Sequence, residues 1–299
     1  MIEFLPLTFF LPMVENILLA IALVGSSLAA AWDLRTTEIP DKIPSIMVII
    51  AFIIHITKAF LTWSYLSFIS SVIVGLGFFG FGFLMYYLGQ WGGGDAKLLG
   101  AIGFLLPDSK SLNLHLFFPL PLSYMVNVFL IGAIYMLLYA AVLAMRNRKI
   151  IKEFKKDIKA SSRFIIVSSA ALFLAFVLIG FYFTNFYLGN TNVKLILTNS
   201  IPPLLLTISF FIIWKFARIV ENVGFKKRVS VHELKVGDVL LSSRLWEGIT
   251  EKELRAIRKS EKKYVWIKEG VRFAPTFPLA LLATVLFGDT LLIFIKFFI

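Results

Sequence analysis

Eight stretches of this chain are too apolar and too long to lie comfortably in water. They fall at roughly 13–32, 43–63, 67–89, 95–106, 117–145, 164–187, 200–220 and 274–297. Seven of them approach or exceed the ~20 residues that carry a helix across a ~30 Å hydrocarbon core. The fourth is shorter and reads as a half-helix, or as a span completed by the loop after Pro107. In lipid a spanning segment must satisfy its own backbone hydrogen bonds, which makes helices of these runs. The chain is 59% hydrophobic and only 16% charged, with 31 phenylalanines, whereas soluble domains average about half apolar and a quarter charged. The expected fold class is an all-α polytopic membrane protein. It is a bundle of about 6–8 transmembrane helices with a small cytoplasmic α+β module.

Charge sets the expected orientation. The segment Arg146–Arg163, "RNRKIIKEFKKDIKASSR", is heavily basic, and so is Glu221–Arg272. Lys110 and Lys194 stand nearly alone in the opposite loops. Cationic loops stay in the cytoplasm, so both basic segments face inward and the N-terminus faces out. The net charge of +12 is then accounted for by anionic membrane lipids, and no nucleic-acid partner is expected. The opening "MIEFLPLTFFLPMVEN" has no basic n-region, so it reads as part of the mature chain rather than as a signal peptide. The expected organisation is a transmembrane bundle over 1–220, a soluble-looking module over 221–272 and a final transmembrane helix over 273–299.

Within that module, "VSVHELKVGDVLLSS" has strand-like runs around a Val-Gly-Asp turn. "TEKELRAIRKS" reads as a helix that Thr250 caps and Glu253 closes as a capping box, and "YVWIKEG" as a further strand. No catalytic constellation is visible there. The chain has no cysteine and only three scattered histidines, His55, His115 and His232. That excludes disulfides, thiolate zinc sites and cysteine nucleophiles, and no metal or cofactor is expected.

Two carboxylates carry the chemistry. Asp95 stands where the turn Gly92-Gly93-Gly94 enters an apolar helix, in "QWGGGDAKLLG", and glycine lets another backbone approach closely. Asp33 ends the first span in "SSLAAAWDLRTTEIPDKIP", after a helix of small residues that allow close packing. Counting crossings, the first helix ends inside at Asp33, the second goes out, the third returns and Asp95 begins the fourth. Both aspartates are therefore expected at one depth, at the cytoplasmic edge. Two carboxyls sharing a site cannot both ionise cheaply, so one keeps a proton. The ionised one activates water and the protonated one polarises a peptide carbonyl. Helix ends alone make Asp95 the initial base and Asp33 the initial acid. The plain alternative is that Asp33 pairs with Arg35 and Asp95 with Lys97.

These residues resemble the type IV prepilin peptidases, membrane aspartyl proteases with a Gly-x-Gly-Asp signature, and in particular their archaeal branch acting on preflagellins and pilin-like precursors. The likeness runs through "GGGDAKLLGAIG", through "WDLRTTEIPD" with Arg35, Ile39 and Pro40, and into the closing "IKEGVRFAPTFPLALLATVLFGD"; residues 108–220 match only in hydropathy. The resemblance implies catalysis by Asp33 and Asp95, with Gly92, Gly93, Gly94 and Lys97 in the active-site turn. It implies substrates with a class III, prepilin-like signal peptide: a short basic leader ahead of a hydrophobic helix, cut just before that helix. Arg35, Glu38 and Asp41 are candidate contacts for the leader, although the plainer reading of Glu38 and Asp41 is a solvated polar loop in which Asp41 caps the second helix. The zinc module and N-methylation of bacterial relatives are not expected without cysteine. Oligomeric state is left open. A presenilin or signal-peptide-peptidase type protease is the near alternative, but it carries its aspartates on consecutive helices. A cation-coupled transporter with paired aspartates would show an inverted repeat, and none is visible. Elsewhere, His55 and Lys58 in the second span are expected to face a polar cavity or snorkel outward. Asp289 lies deep in the last span without an obvious partner, and Trp32 reads as an interfacial anchor.

Overall fold

The computed structural model describes residues 7–106, 116–189, 192–243, 248–260, 263–268 and 270–298. Lys110, His115 and the stretch after Pro107 lie outside them. The chain divides into two compact units, residues 1–136 together with 227–299, and residues 137–226.

The first unit opens with three long helices, α1 (Leu7–Thr36), α2 (Lys42–Thr62) and α3 (Leu66–Tyr87). Among them lies α4 (Gly93–Leu105), 13 residues long, which at 1.5 Å per residue is ~20 Å and too short to cross alone. From Leu98 to Leu105 every residue of α4 is buried. A helix that is apolar all round belongs in the middle of a bundle, and α4 packs against α1, α2 and α3. Close approach explains its small residues. A Cβ on Gly82 of α3 would lie 2.7 Å from the Ala96 Cα. A Cβ on Gly80, one turn's other face, would meet nothing within 4 Å.

The helix α5 (Leu120–Arg146) follows and contributes residues to both units. In the second unit α6 (Arg148–Leu188) runs for 41 residues. That is about twice the hydrocarbon thickness, because the basic segment expected as a connection is the first part of the same helix. Asn147 caps it by accepting from the Lys149 amide at 3.1 Å. It pairs with α7 (Val193–Ile219) through Lys215, which bonds Asp157 and Ser161, each at 2.7 Å. A π-helical turn, Val220–Gly224, closes this unit.

The chain then forms β1 (Lys226–Ser230), β2 (Val239–Leu240), α8 (Glu251–Lys259) and β3 (Tyr264–Lys268). The sheet order is β1-β3-β2, with β2 antiparallel to β3 in the register Val239 to Lys268. Val229, Leu234, Ile249, Leu254 and Ile267 form its small core. Thr250 caps α8 with the expected box, the Glu253 carboxylate accepting from the Thr250 amide at 2.8 Å. That amide, and then the Thr250 hydroxyl, hold the Glu253 carboxyl below its ordinary range.

The last apolar stretch is not one helix. It is α9 (Thr276–Phe287) and α10 (Thr290–Phe298), broken at Gly288, whose φ is +68°. Asp289, read in sequence as partnerless, accepts from the Phe117 and Phe118 amides and the Ser123 hydroxyl. Asn127 bonds Thr284 and the Gly288 carbonyl beside it. Lys58 also departs from expectation: it neither snorkels nor faces open space but is buried against Glu15 of α1. Among the described residues six helices, α1, α2, α3, α5, α6 and α7, are long and apolar enough to cross a membrane, and the protein is a multi-pass membrane protein.

The α3–α4 contact generates a paired test. Gly82→Ala forces a methyl into the Ala96 backbone and should destabilise the protein by about 1–3 kcal/mol. Gly80→Ala should be neutral in the same thermal unfolding measurement in detergent.

Candidate active site

Asp33 lies in the last turn of α1, which ends three residues later at Thr36. The chain turns sharply there: Thr37 adopts a φ of +62°, and its amide bonds back to the Asp33 carbonyl at 2.8 Å. The Asp33 side chain points inward; the residue is 6% exposed, while Trp32 and Arg35 beside it are exposed. Its Oδ2 accepts from the Ala274 amide at 3.1 Å. Ala274 lies in the strap that joins β3 to α9, 241 positions away. The strap is itself tied down, since the Tyr135 hydroxyl of α5 donates to the Arg272 carbonyl at 2.7 Å. The Phe273 ring stacks near Trp91 and Phe277, at 5.5 and 5.7 Å between centroids.

Asp95 is the third residue of α4 and is half-buried. Its Oδ2 reaches back to the Gly92 amide at 3.0 Å, satisfying one of the orphan donors at a helix start. Packing of α1 on α4 brings the two aspartates close enough for the charge of one to bear on the other.

The glycine turn is shaped from inside the protein. A Cβ on Gly94 would lie 2.9 Å from the Cβ of Ile39, so the missing side chain there makes room for the α1–α2 loop. Gly93 is less confined, with the Tyr86 ring at 3.7 Å. Lys97 pairs with Asp41 at 2.7 Å rather than with Asp95. Asp41 precedes α2 but makes no side-chain cap, because its carboxylate is turned to Lys97. Glu38 is exposed in the same loop, and a Cβ on Gly237 would sit 3.3 Å from its Oε1. Arg35 is exposed in the last turn of α1, and the inward contact of Asp33 is the Ala274 amide, not Arg35. Thus Asp33, Asp95 and the three glycines converge, Lys97 and Asp41 join at the rim, and Arg35 and Glu38 face outward. Among the described residues no group of three or more His, Asp or Glu side chains is set to hold a metal ion.

The sequence reading missed the strap as a neighbour of Asp33. A backbone amide leaves no side-chain mark, and only the family-like "VRFAPTFP" drew notice to that region.

Residues 17–145, the stretch carrying both aspartates, match a family profile described as type IV leader peptidase family. A prepilin peptidase EppA of Methanothermobacter thermautotrophicus is 24% identical over 185 residues, covering 57% of this chain and 48% of that protein. A preflagellin peptidase of Methanocaldococcus jannaschii is 36% identical over 84 residues, covering 28% of this chain and 36% of that protein. The chain therefore spans about half, or less, of the length of these curated relatives. The matched region takes in α1 from residue 17, all of α2, α3 and α4, and α5 up to residue 145; α6, α7, the sheet and the strap lie beyond it.

The Lys97–Asp41 pair is exposed on both sides, at 47% and 70%. A double-mutant cycle on Lys97→Gln and Asp41→Asn, read by thermal unfolding, should return a coupling energy below about 1 kcal/mol.

Proposed function

We propose that the protein is a membrane-embedded aspartic endopeptidase that removes short basic leaders from archaellin or type IV pilin-like precursors. What supports this reading most is the meeting of Asp33 and Asp95 across the α1–α4 contact, within a region matched by a leader peptidase family. The names of the two relatives, a prepilin peptidase and a preflagellin peptidase, point to the same substrate class.

The pair works as a unit. One carboxyl is ionised and takes a proton from a water held between the two, and the resulting hydroxide attacks the scissile carbonyl carbon. The other gives its proton to the carbonyl oxygen. As the C–N bond breaks, the leaving amine takes up the proton that came from water, and the second carboxyl regains its own. Gly93, the open member of the turn, leaves room for the substrate backbone in extended form.

Orientation follows from the basic segments 146–163 and 221–272, which belong on the cytoplasmic side. The N-terminus is then outside and the dyad lies at the inner boundary. A basic leader is retained on that side by the same rule, with its cut site level with the two aspartates. Glu38, exposed five residues after Asp33, suits the leader's cations, with Asp41 as a weaker contact because Lys97 already neutralises it. Arg35 suits a lipid phosphate better than a basic leader. Two helices, α2 and α3, stand between the aspartates, unlike the consecutive helices of presenilin-type proteases.

Co-expression with a tagged precursor tests the reading. Asp33→Asn and Asp95→Asn should each cut leader removal by at least about 100-fold, as loss of an acid–base group does, and normal cleavage by either variant removes the aspartyl mechanism. Glu38→Lys should raise KM several-fold with kcat nearly unchanged; an unaltered KM dismisses Glu38 as a leader contact.

A further inference from the structure

We infer that Arg272 is a positioning residue of the site, whose fixed positive charge decides which aspartate activates water. The inference rests on the endopeptidase reading above and assigns roles within it.

Arg272 lies two residues before Ala274, whose amide already touches the Asp33 carboxylate. Its backbone is held by the Tyr135 hydroxyl, so the side chain starts from a fixed point. The residue is half-buried, and its Nε is fully buried with no hydrogen-bond partner. A buried unpaired donor in a native site calls for a reason. A guanidinium cannot shed its proton, so the charge is permanent. The described ion pairs join Lys58 to Glu15, Lys97 to Asp41, Lys215 to Asp157 and Arg255 to Glu251. Arg272 is in none of them, and the carboxylate on which its charge acts is Asp33.

Among the described residues, the charges that bear on Asp33 are those of Asp95 from α4 and Arg272 from the strap. They differ in sign and act together. Burial works against the Asp33 carboxylate, the Ala274 amide and then the charge of Arg272 work for it, and the remaining proton of the pair is assigned to Asp95. This reverses the assignment that helix ends alone give. The Asp95 carboxyl does sit at a helix start, but the whole charge of Arg272, which bears on Asp33 without touching it, exceeds the half-charge of a helix terminus. Asp33 then takes the proton from water while the hydroxide bonds to the carbonyl carbon, and Asp95 protonates the carbonyl oxygen. On collapse, Asp33 passes its proton to the amine nitrogen as the C–N bond breaks, and the diol returns a proton to Asp95.

The test uses full-length protein in membranes and a tagged pilin-like precursor with a basic leader. Arg272→Gln should lower kcat roughly 10- to 100-fold with little change in KM, and the low-pH limb of its rate profile should move to higher pH. Arg272→Lys, which keeps a charge, should recover most of the loss and restore the profile. The inference is overturned if Arg272→Gln cleaves like the wild type, if its rate falls with no movement of the acid limb, or if Lys and Gln are equally impaired. Asp33→Asn and Asp95→Asn, assayed alongside, separate the two failures. If both still cleave, the endopeptidase reading itself falls; if both are inactive and Arg272→Gln is normal, only the role of Arg272 does.

Discussion

Burial of α4 on every side is the constraint from which the site follows. A 13-residue apolar helix cannot span a bilayer and has no polar face to turn to water. It is stable only when α1, α2 and α3 surround it, and its backbone must come close to theirs. Gly82, Gly100 and Gly103 meet Ala96, Phe79 and Phe78 at distances that leave no room for a further carbon. Once α4 is seated, its first turn has one position available, beside the end of α1. Packing of α4 on α1 thereby brings Asp95 within electrostatic reach of Asp33.

The same apolar interior punishes unpaired polar groups, and the structure answers with cross-links. Lys58 is buried against Glu15, His55 meets the Ser67 hydroxyl at 3.2 Å, and Ser71 donates to the Phe104 carbonyl at 2.6 Å. That last bond serves an orphan carbonyl in the final turn of α4, where the helix stops short. Asp289 gathers the amides that precede α5. Each of these residues looks out of place in a hydrophobic run, and each ties together two separate segments of the chain, from 12 positions apart for His55 and Ser67 to 172 for Phe117 and Asp289.

Around the dyad the balance is different, because the groups are supplied with donors without being neutralised in contact. Asp33 receives a backbone amide, Asp95 another, and no cation lies against either. Lys97, two residues from Asp95, is drawn away to Asp41. On the endopeptidase reading proposed above, a dyad that exchanges protons needs hydrogen bonds that orient it and charges near enough to bias it, without a salt bridge that would lock one form.

Much of this was legible in the residues. Apolar runs of spanning length dictated helices, because a bilayer offers the backbone no other partner. The Thr250 and Glu253 spacing announced the α8 cap, and the stretches around Asp33 and Asp95 that carry the family likeness lie inside the region the leader peptidase profile matches. Sequence could not see what depends on sideways packing. The partner of Lys58, the break at Gly288, the turn of Asp41 toward Lys97, and the arrival of the Ala274 amide at Asp33 involve residues tens to hundreds of positions apart. Local periodicity fixes whether a segment is a helix and which solvent it prefers. Which side chain meets which across the bundle is decided only when α4 is enclosed, since close packing allows a few neighbours and excludes the rest.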